Sequence, residues 1–245
     1  VSKEGYVNLL LANQKHSTDP GDNKLMINAR REFLEQDFYL PLARRIAELL
    51  LNNLLSTQPS LHDAGCGEGY YLQKVVDYLV QHKIQTQATG SDISKTAIVK
   101  AAKKYSALNF AVASSFNLPK SSESVDAVMQ IFAPSRGEEV FRILKPLGLW
   151  LRVTPGASHL LELKQGLYDT AVLHQAQTQL PAGFVQLQSE SLTFRLALTD
   201  VKSRENLLMM TPFYWSAKEC ELPAIIDNMS ETTADFVITL LQKTA

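Results

Sequence analysis

From Pro59 onward, short apolar runs alternate with amphipathic or polar stretches through five strand-like segments, and this rhythm constrains the fold most. Strands are predicted over residues 60–64, 86–91, 109–113, 125–131 and 149–153, with helices over 68–80, 94–104 and a stretch ending near Leu144. Parallel neighbours need a crossover connection, and right-handed crossovers lay helices on both faces of the sheet. The expected class is therefore α/β, a Rossmann-like parallel sheet with helices on both faces. Past residue 157 the pattern is less regular: helices are expected over 158–177 and 203–209, and strands over 184–198 and 234–241. The last two strands can pair antiparallel at the edge of the sheet.

Ahead of this domain, residues 1–22 read as an irregular arm punctuated by Gly5 and Asp19-Pro20-Gly21-Asp22. Leu25, Met26, Ala29, Phe33 and Leu34, and after Pro41 the series Leu42, Ile46, Leu49, Leu50 and Leu54, recur at helical spacing. The expected organisation is an N-terminal arm and helical extension over residues 1–58, followed by a ligand-binding domain over 59–245.

Apolar residues make up 45% of the chain and charged ones 20%, as in an ordinary globular domain. No apolar run approaches a bilayer span and no charged-then-apolar leader opens at Val1, so a cytoplasmic protein without membrane contact is expected. Cys66 and Cys220 make neither a disulfide framework nor a zinc site. The net charge of −1 excludes a nucleic-acid binder that relies on a global basic excess, so any RNA contact must be local.

In open parallel sheets ligands bind beyond the carboxyl ends of the strands, which singles out Asp63, Asp92, Ser114 and the segment Phe132-Ala133-Pro134. Gly65, Gly67 and Gly69 form a tight strand-to-helix turn of the form GxGxG, where a backbone without Cβ can approach a ligand. A dinucleotide fingerprint would set a pyrophosphate on the helix start, but Glu68 opposes a phosphate there. The carboxylate favours a ligand with an amino group, such as the methionine part of S-adenosylmethionine. Asp92, a little over 20 residues past the glycines, is placed to accept both ribose hydroxyls. Ser114 and Ser115 follow the third strand and can present hydroxyl and backbone groups to an adenine edge.

These residues resemble the class I methyltransferases as a group. The flanks resemble one family among them, the bacterial 23S ribosomal RNA guanine-N1 methyltransferases, which include macrolide-resistance members. The resemblance rests on residues 3–10, Asp19-Pro20-Gly21-Asp22, Ala29-Arg30-Arg31 with Phe33-Leu34, residues 63–71, Val112-Ala113-Ser114-Ser115, Thr154-Pro155-Gly156 with His159-Leu160, Glu162-Leu163-Lys164, and Met210-Thr211-Pro212-Phe213. It implies S-adenosylmethionine as cofactor, a methyltransferase domain over residues 59–245, ribosomal RNA as partner, and Tyr39, Gly67, Glu68 and His159 as cofactor contacts. Two departures stand out. The family normally opens with a Cys-rich zinc module, and with no such cysteines after Val1 no zinc is expected in this chain. Leu147-Gly148 stands where the family tends to have Gly-Gly, a departure expected to be harmless.

The expected reaction is methyl transfer to guanine N1, with the protein mainly positioning the reactants. Guanine N1 carries a proton at neutral pH, and no catalytic base is singled out; Glu162 and Asp169 are candidates because they follow the fifth strand. A flipped base would meet Phe132, Ala133 and Pro134 at the pocket mouth. Phe213-Tyr214-Trp215 is read as core first and pocket second. Arg30, Arg31, Arg44 and Arg45 offer phosphate contacts, although nearby acids make a solvated helix face the better reading. A quinone-type small-molecule methyltransferase and a non-catalytic cofactor- or RNA-binding protein remain open alternatives, and a homodimer is a possible assembly.

Overall fold

Asn23 accepts a hydrogen bond from the Met26 N–H at 3.0 Å and so starts α1 (Lys24–Glu35), the first helix of the computed structural model. That structure describes residues 1–10, 21–167, 180–218, 220 and 222–244. Pro41, in the first turn, opens α2 (Leu40–Asn53). α2 buries the face its spacing predicts, with Leu42, Ile46 and Leu50 wholly enclosed, whereas α1 buries Ala29, Phe33 and Leu34 as expected but leaves Leu25 54% exposed and Met26 half-buried, with Ile27 turned inward in their place.

The alternating segments then appear in order: β2 (Ser60–Ala64), α3 (Tyr70–Gln81), β3 (Gln87–Asp92), α4 (Lys95–Lys104), β4 (Asn109–Val112), β5 (Val125–Ile131), α5 (Gly137–Ile143) and β6 (Leu144–Pro155). After α6 (Leu161–Leu167) come β7 (Phe184–Ala197), α7 (Val201–Met209), α8 (Pro212–Ser216), α9 (Leu222–Asn228) and β8 (Glu231–Lys243). A short strand, β1 (Tyr6–Asn8), lies within the segment expected to be an irregular arm. Only three residues long, it carries no readable period. It adds in parallel to the edge strand β4.

The sheet order is β1-β4-β3-β2-β5-β6-β8-β7. The chain builds outward from β2 through β3 to β4, then returns to the other side of β2 for β5 and β6, all in parallel. The change of direction leaves a crevice beyond Ala64, between β2 and β5, where such sheets take their ligands. β8 runs antiparallel between β6 and β7, so the expected antiparallel pair forms, with β7 outermost.

Neighbouring residues on the inner strands serve opposite faces. Ala127 and Met129 join Leu61 and Leu151 in the larger core cluster beneath α1 to α4. Val128, Trp150 and Leu241 lie side by side in register and pack with Val140 and Ile143 of α5 on the other face. The one imidazole inside β2 is satisfied: His62 bonds Thr89 Oγ1 at 2.9 Å and Ser91 Oγ at 3.0 Å, and burial pushes its pKa down to about 3, keeping it neutral. The helix expected over 158–177 begins later, as α6, after a turn over residues 158–160; residues 168–177 lie outside the described residues.

Candidate functional site

The loop after β2 is held by its neighbours before it holds anything else. The Gly65 and Cys66 N–H groups both donate to the Ser91 carbonyl, at 2.8 and 3.0 Å. Gly65 has φ +85, and a Cβ there would run into Ala133. Gly67 differs: at φ +53 its Cβ would project into open space, with no atom within 4 Å. Gly65 is thus needed for packing, and Gly67 for a backbone surface open at the sheet edge.

Three carboxylates surround that surface. Asp92 accepts the Gly67 N–H at 2.9 Å through one oxygen and the Ser94 N–H at 2.8 Å through the other, bracing the glycine loop against α4. Burial pushes its carboxyl up while those two bonds hold it down. Asp63 is 2% exposed and one oxygen has no hydrogen-bond partner; burial, reinforced by Asp92, raises its pKa to about 8. Neither oxygen of buried Glu68 has a partner, and burial raises it to about 7 against the pull of Lys104 and Arg31. A buried acceptor left unsatisfied costs about 1–3 kcal/mol, so this edge is poised for a ligand rich in N–H or O–H donors.

Asp22 and Arg30 close the edge from the N-terminal side. Together with Gly67, Glu68, Asp92 and Ser94 they line a cavity of about 20 Å³. Arg30 is ion-paired with Asp22 and donates to the Met210 carbonyl at 3.2 Å. Sequence reasoning missed Asp22 and Ser94 as lining residues and placed Arg30 on a solvated helix face, with a phosphate contact as the lesser reading, whereas it lines this cavity. The signal was present, because Asp22 ends the Asp19-Pro20-Gly21-Asp22 motif, but its meaning depends on how the start of α1 meets Ser94 at the head of α4.

On the other side of the crevice lies an aromatic cluster. The Tyr39 ring meets Phe33 and Phe236 edge-on, at centroid distances of 5.3 and 5.1 Å, and its buried hydroxyl has no partner. His159 accepts the Asp235 N–H on Nδ1 at 3.2 Å, which leaves the ring proton of the neutral form on Nε2. Phe132 stacks on His159 at 6.3 Å, takes a left-handed backbone (φ +56), and keeps 41% of its surface exposed. Phe236, which touches Tyr39, His159 and Phe132, was not foreseen; it sits in a strand whose alternation marks it only as inward-facing.

Gln130 fixes the loop that carries Phe132. Its amide donates to the Ala133 carbonyl, and its oxygen accepts from Ser135 Oγ at 2.8 Å and Trp150 Nε1 at 3.1 Å. Ser115 Oγ donates to the Pro134 carbonyl at 2.6 Å, tying the β4 loop to the same segment, while Ser114 Oγ accepts the Phe116 N–H at 3.2 Å.

The remaining candidates fall elsewhere. Glu162 accepts from Arg195, from the Thr233 N–H at 2.9 Å and from the Thr232 hydroxyl at 3.0 Å, contacts that overcome burial and hold its pKa at about 2. A carboxylate so stabilised is a structural anchor and a poor base. Asp169 lies outside the described residues. Phe213 and Tyr214 pack on the core, and Trp215 is 44% exposed. Arg31 pairs with Glu35 at 2.8 Å, and Arg45 pairs with Glu48 at 3.0 Å and with Glu190, as the solvated-face reading expected. Among the described residues no helix is long and apolar enough to cross a membrane.

Comparison with known proteins adds to this geometry. Residues 62–148 match the family described as Methyltransferase domain. YxjB of Bacillus subtilis strain 168, provisionally named a 23S rRNA (guanine-N(1)-)-methyltransferase, is 33% identical over 223 residues, covering 89% of this chain and 77% of its own. This chain belongs to the 23S rRNA guanine-N1 methyltransferase family. A second member, the 23S rRNA (guanine(748)-N(1))-methyltransferase of Streptomyces fradiae, is 29% identical and covers 98% of this chain and 86% of its own. Solved structures share the fold. BH2331 of Bacillus halodurans, described as a methyltransferase, superposes with a TM-score of 0.55 at 14% identity, over 82% of this chain and 99% of its own. The [4+2]-cyclase SpnF superposes nearly as well, with a TM-score of 0.53 at 18% identity, over 82% of this chain and 81% of its own. The fold therefore fixes the sheet edge where ligands bind, and the chemistry follows from the family.

Proposed function

We propose that this chain transfers a methyl group from S-adenosylmethionine to N1 of a guanine in 23S ribosomal RNA. The observation that carries the reading is the ring of buried carboxylates around the open backbone of Gly67. The unpartnered oxygens of Asp63 and Glu68 suit a ligand with an ammonium group and would repel a pyrophosphate. When bound, S-adenosylmethionine supplies a methyl group already activated by its sulfonium.

Asp63 and Glu68 accept hydrogen bonds from the amino end of that ligand, and Asp92 accepts from the ribose hydroxyls while bracing Gly67. Gly65 keeps the loop tight, and Ser114 and Ser115 border the adenine. Tyr39 covers the ligand from the N-terminal helices, with its unpartnered hydroxyl directed to a polar group, and His159 meets the polar end through Nε2. Phe132, Ala133 and Pro134 form the wall against which an unstacked guanine lies, the exposed Phe132 ring offering a stacking face.

What these residues contribute is orientation: a base held flat on Phe132 presents its N1 edge toward the crevice above Gly67. Glu162, held at about 2, takes no part in accepting the N1 proton. In this reading residues 1–58 wall the methyltransferase domain of residues 59–245, the protein works in the cytoplasm on ribosomal RNA, and the chain carries no metal of its own.

The test is incubation with methyl-labelled cofactor and unmodified 23S RNA, followed by nucleoside analysis. Label in N1-methylguanosine supports the reading. Label in a quinone or other small metabolite instead would move the protein to a different class of substrate.

A further inference from the structure

The cavity beside Gly67 is lined by three acids, Asp22, Glu68 and Asp92, and by one cation, Arg30. An amino-acid-bearing ligand brings a carboxylate as well as an ammonium, and that carboxylate cannot be set against three others without a positive partner. We propose that Arg30 binds the α-carboxylate of the cofactor, releasing Asp22 as it does so. The inference rests on the cofactor reading above and extends it to a residue and an exchange which that reading does not contain.

The position of Arg30 supports the assignment. The guanidinium lines the cavity together with Gly67, Glu68 and Asp92, and its charge reaches Asp92, Tyr39 and Tyr71. One terminal nitrogen donates to the Met210 carbonyl at 3.2 Å and fixes the plane of the group; the other is committed to Asp22. A planar fork held in this way is well shaped to grip a carboxylate. The pair it makes now is exchangeable, since both side chains are about one-third exposed and ion pairs of that kind are weak.

Other cations near the edge do not line the cavity. Arg31 and Lys104 both bind Glu35, at 2.8 and 2.7 Å. Lys164, buried under α8 with its ammonium 5.8 Å from the Phe213 ring, does not line the cavity. Asp22 lies beside Ser94, whose hydroxyl is 3.5 Å from its carbonyl, so its carboxylate reaches Arg30 from the same side as the ribose acid. The cofactor's carboxylate and that of Asp22 then compete for one guanidinium, which gives the proposal an unusual sign: removing an acid from the pocket should tighten binding.

Calorimetric titration of the full chain with S-adenosylmethionine and with its decarboxylated analogue tests this. Arg30→Met should weaken S-adenosylmethionine binding roughly 10- to 150-fold, the loss expected for a hydrogen bond between charged groups, and leave the decarboxylated analogue within about twofold. Asp22→Asn should tighten S-adenosylmethionine binding several-fold and leave the analogue unchanged. Equal weakening of both ligands by Arg30→Met, or no weakening of either, would overturn the proposal. If Arg30→Met does not fold, Asp22→Asn decides alone, and unchanged or weaker binding overturns it. A wild-type chain that binds neither ligand would remove the cofactor reading itself; one that binds both while ignoring the two substitutions would remove only the role of Arg30.

Discussion

Asp63 and Glu68 show most directly how a side chain prepared for a ligand differs from one placed for stability. Their carboxyls are raised to about 8 and about 7 by burial, so the folded chain holds protons that the unfolded chain gives up near pH 4. A group whose pKa is higher folded than unfolded stabilises the fold at low pH and loses that contribution as pH rises through the folded value. For Asp63 the loss runs from about pH 4 to about 8. Asp63→Asn should therefore raise the apo protein's stability at pH 8 by on the order of 1–3 kcal/mol, with a smaller gain at pH 5, while weakening cofactor binding. Denaturant titrations at the two pH values check the sign. A second residue-scale prediction concerns Leu147, which takes φ +62 at the position where the family tends to have glycine. The left-handed backbone costs an L-residue about 1–2 kcal/mol, partly offset by the greater chain entropy of glycine, so Leu147→Gly should stabilise by about 0.5–1 kcal/mol in thermal or denaturant unfolding. At this scale the sequence placed Asp63, Asp92 and the glycines at the carboxyl ends of their strands, because their spacing is local. The contact of Arg30 with the Met210 carbonyl and the place of Phe236 were not legible, since both depend on segments far apart in the chain.

Among the elements, the β5 loop carries the greatest functional weight. Gln130 holds Ala133, Ser135 and Trp150 together, and through them sets Phe132 in its left-handed conformation. Gln130→Ala should leave the Trp150 indole N–H without its partner and destabilise by about 1–3 kcal/mol. The freed loop should raise KM for RNA while cofactor affinity stays within about twofold, a split that steady-state kinetics and calorimetry would resolve. Strand and helix positions from β2 to β6 were readable because parallel strands buried on both faces make dense apolar runs and the helices between them keep a strong period. β1 was not readable, being three residues that gain their partner only when β4 is already in place. The early start of β6 was hidden for a related reason: its pairing with β5 slips between Val125 and Ala127, so Leu144 joins the ladder ahead of the regular run.

For the molecule as a whole, a net charge of −1 and arginines neutralised by neighbouring glutamates leave little general attraction for RNA. In the proposed reading, specificity comes from the shape and stacking of the surface around Phe132. In the proposed reading the cofactor, by contrast, lies against Gly67, whose substitution should separate fold from function. A Cβ at that position meets no protein atom, so Gly67→Ala should keep its circular dichroism spectrum and lose most cofactor affinity, with a stability cost limited to about 1–2 kcal/mol from the left-handed backbone. The measurement that bears most directly on the whole account is the site of the transferred methyl. Wild-type and Gly67→Ala proteins are incubated with labelled S-adenosylmethionine and unmodified 23S RNA, and the RNA is digested to nucleosides. The account predicts label in N1-methylguanosine with the wild type and none with the variant. Label at another atom or only in a small molecule, or equal label from both proteins, would contradict it.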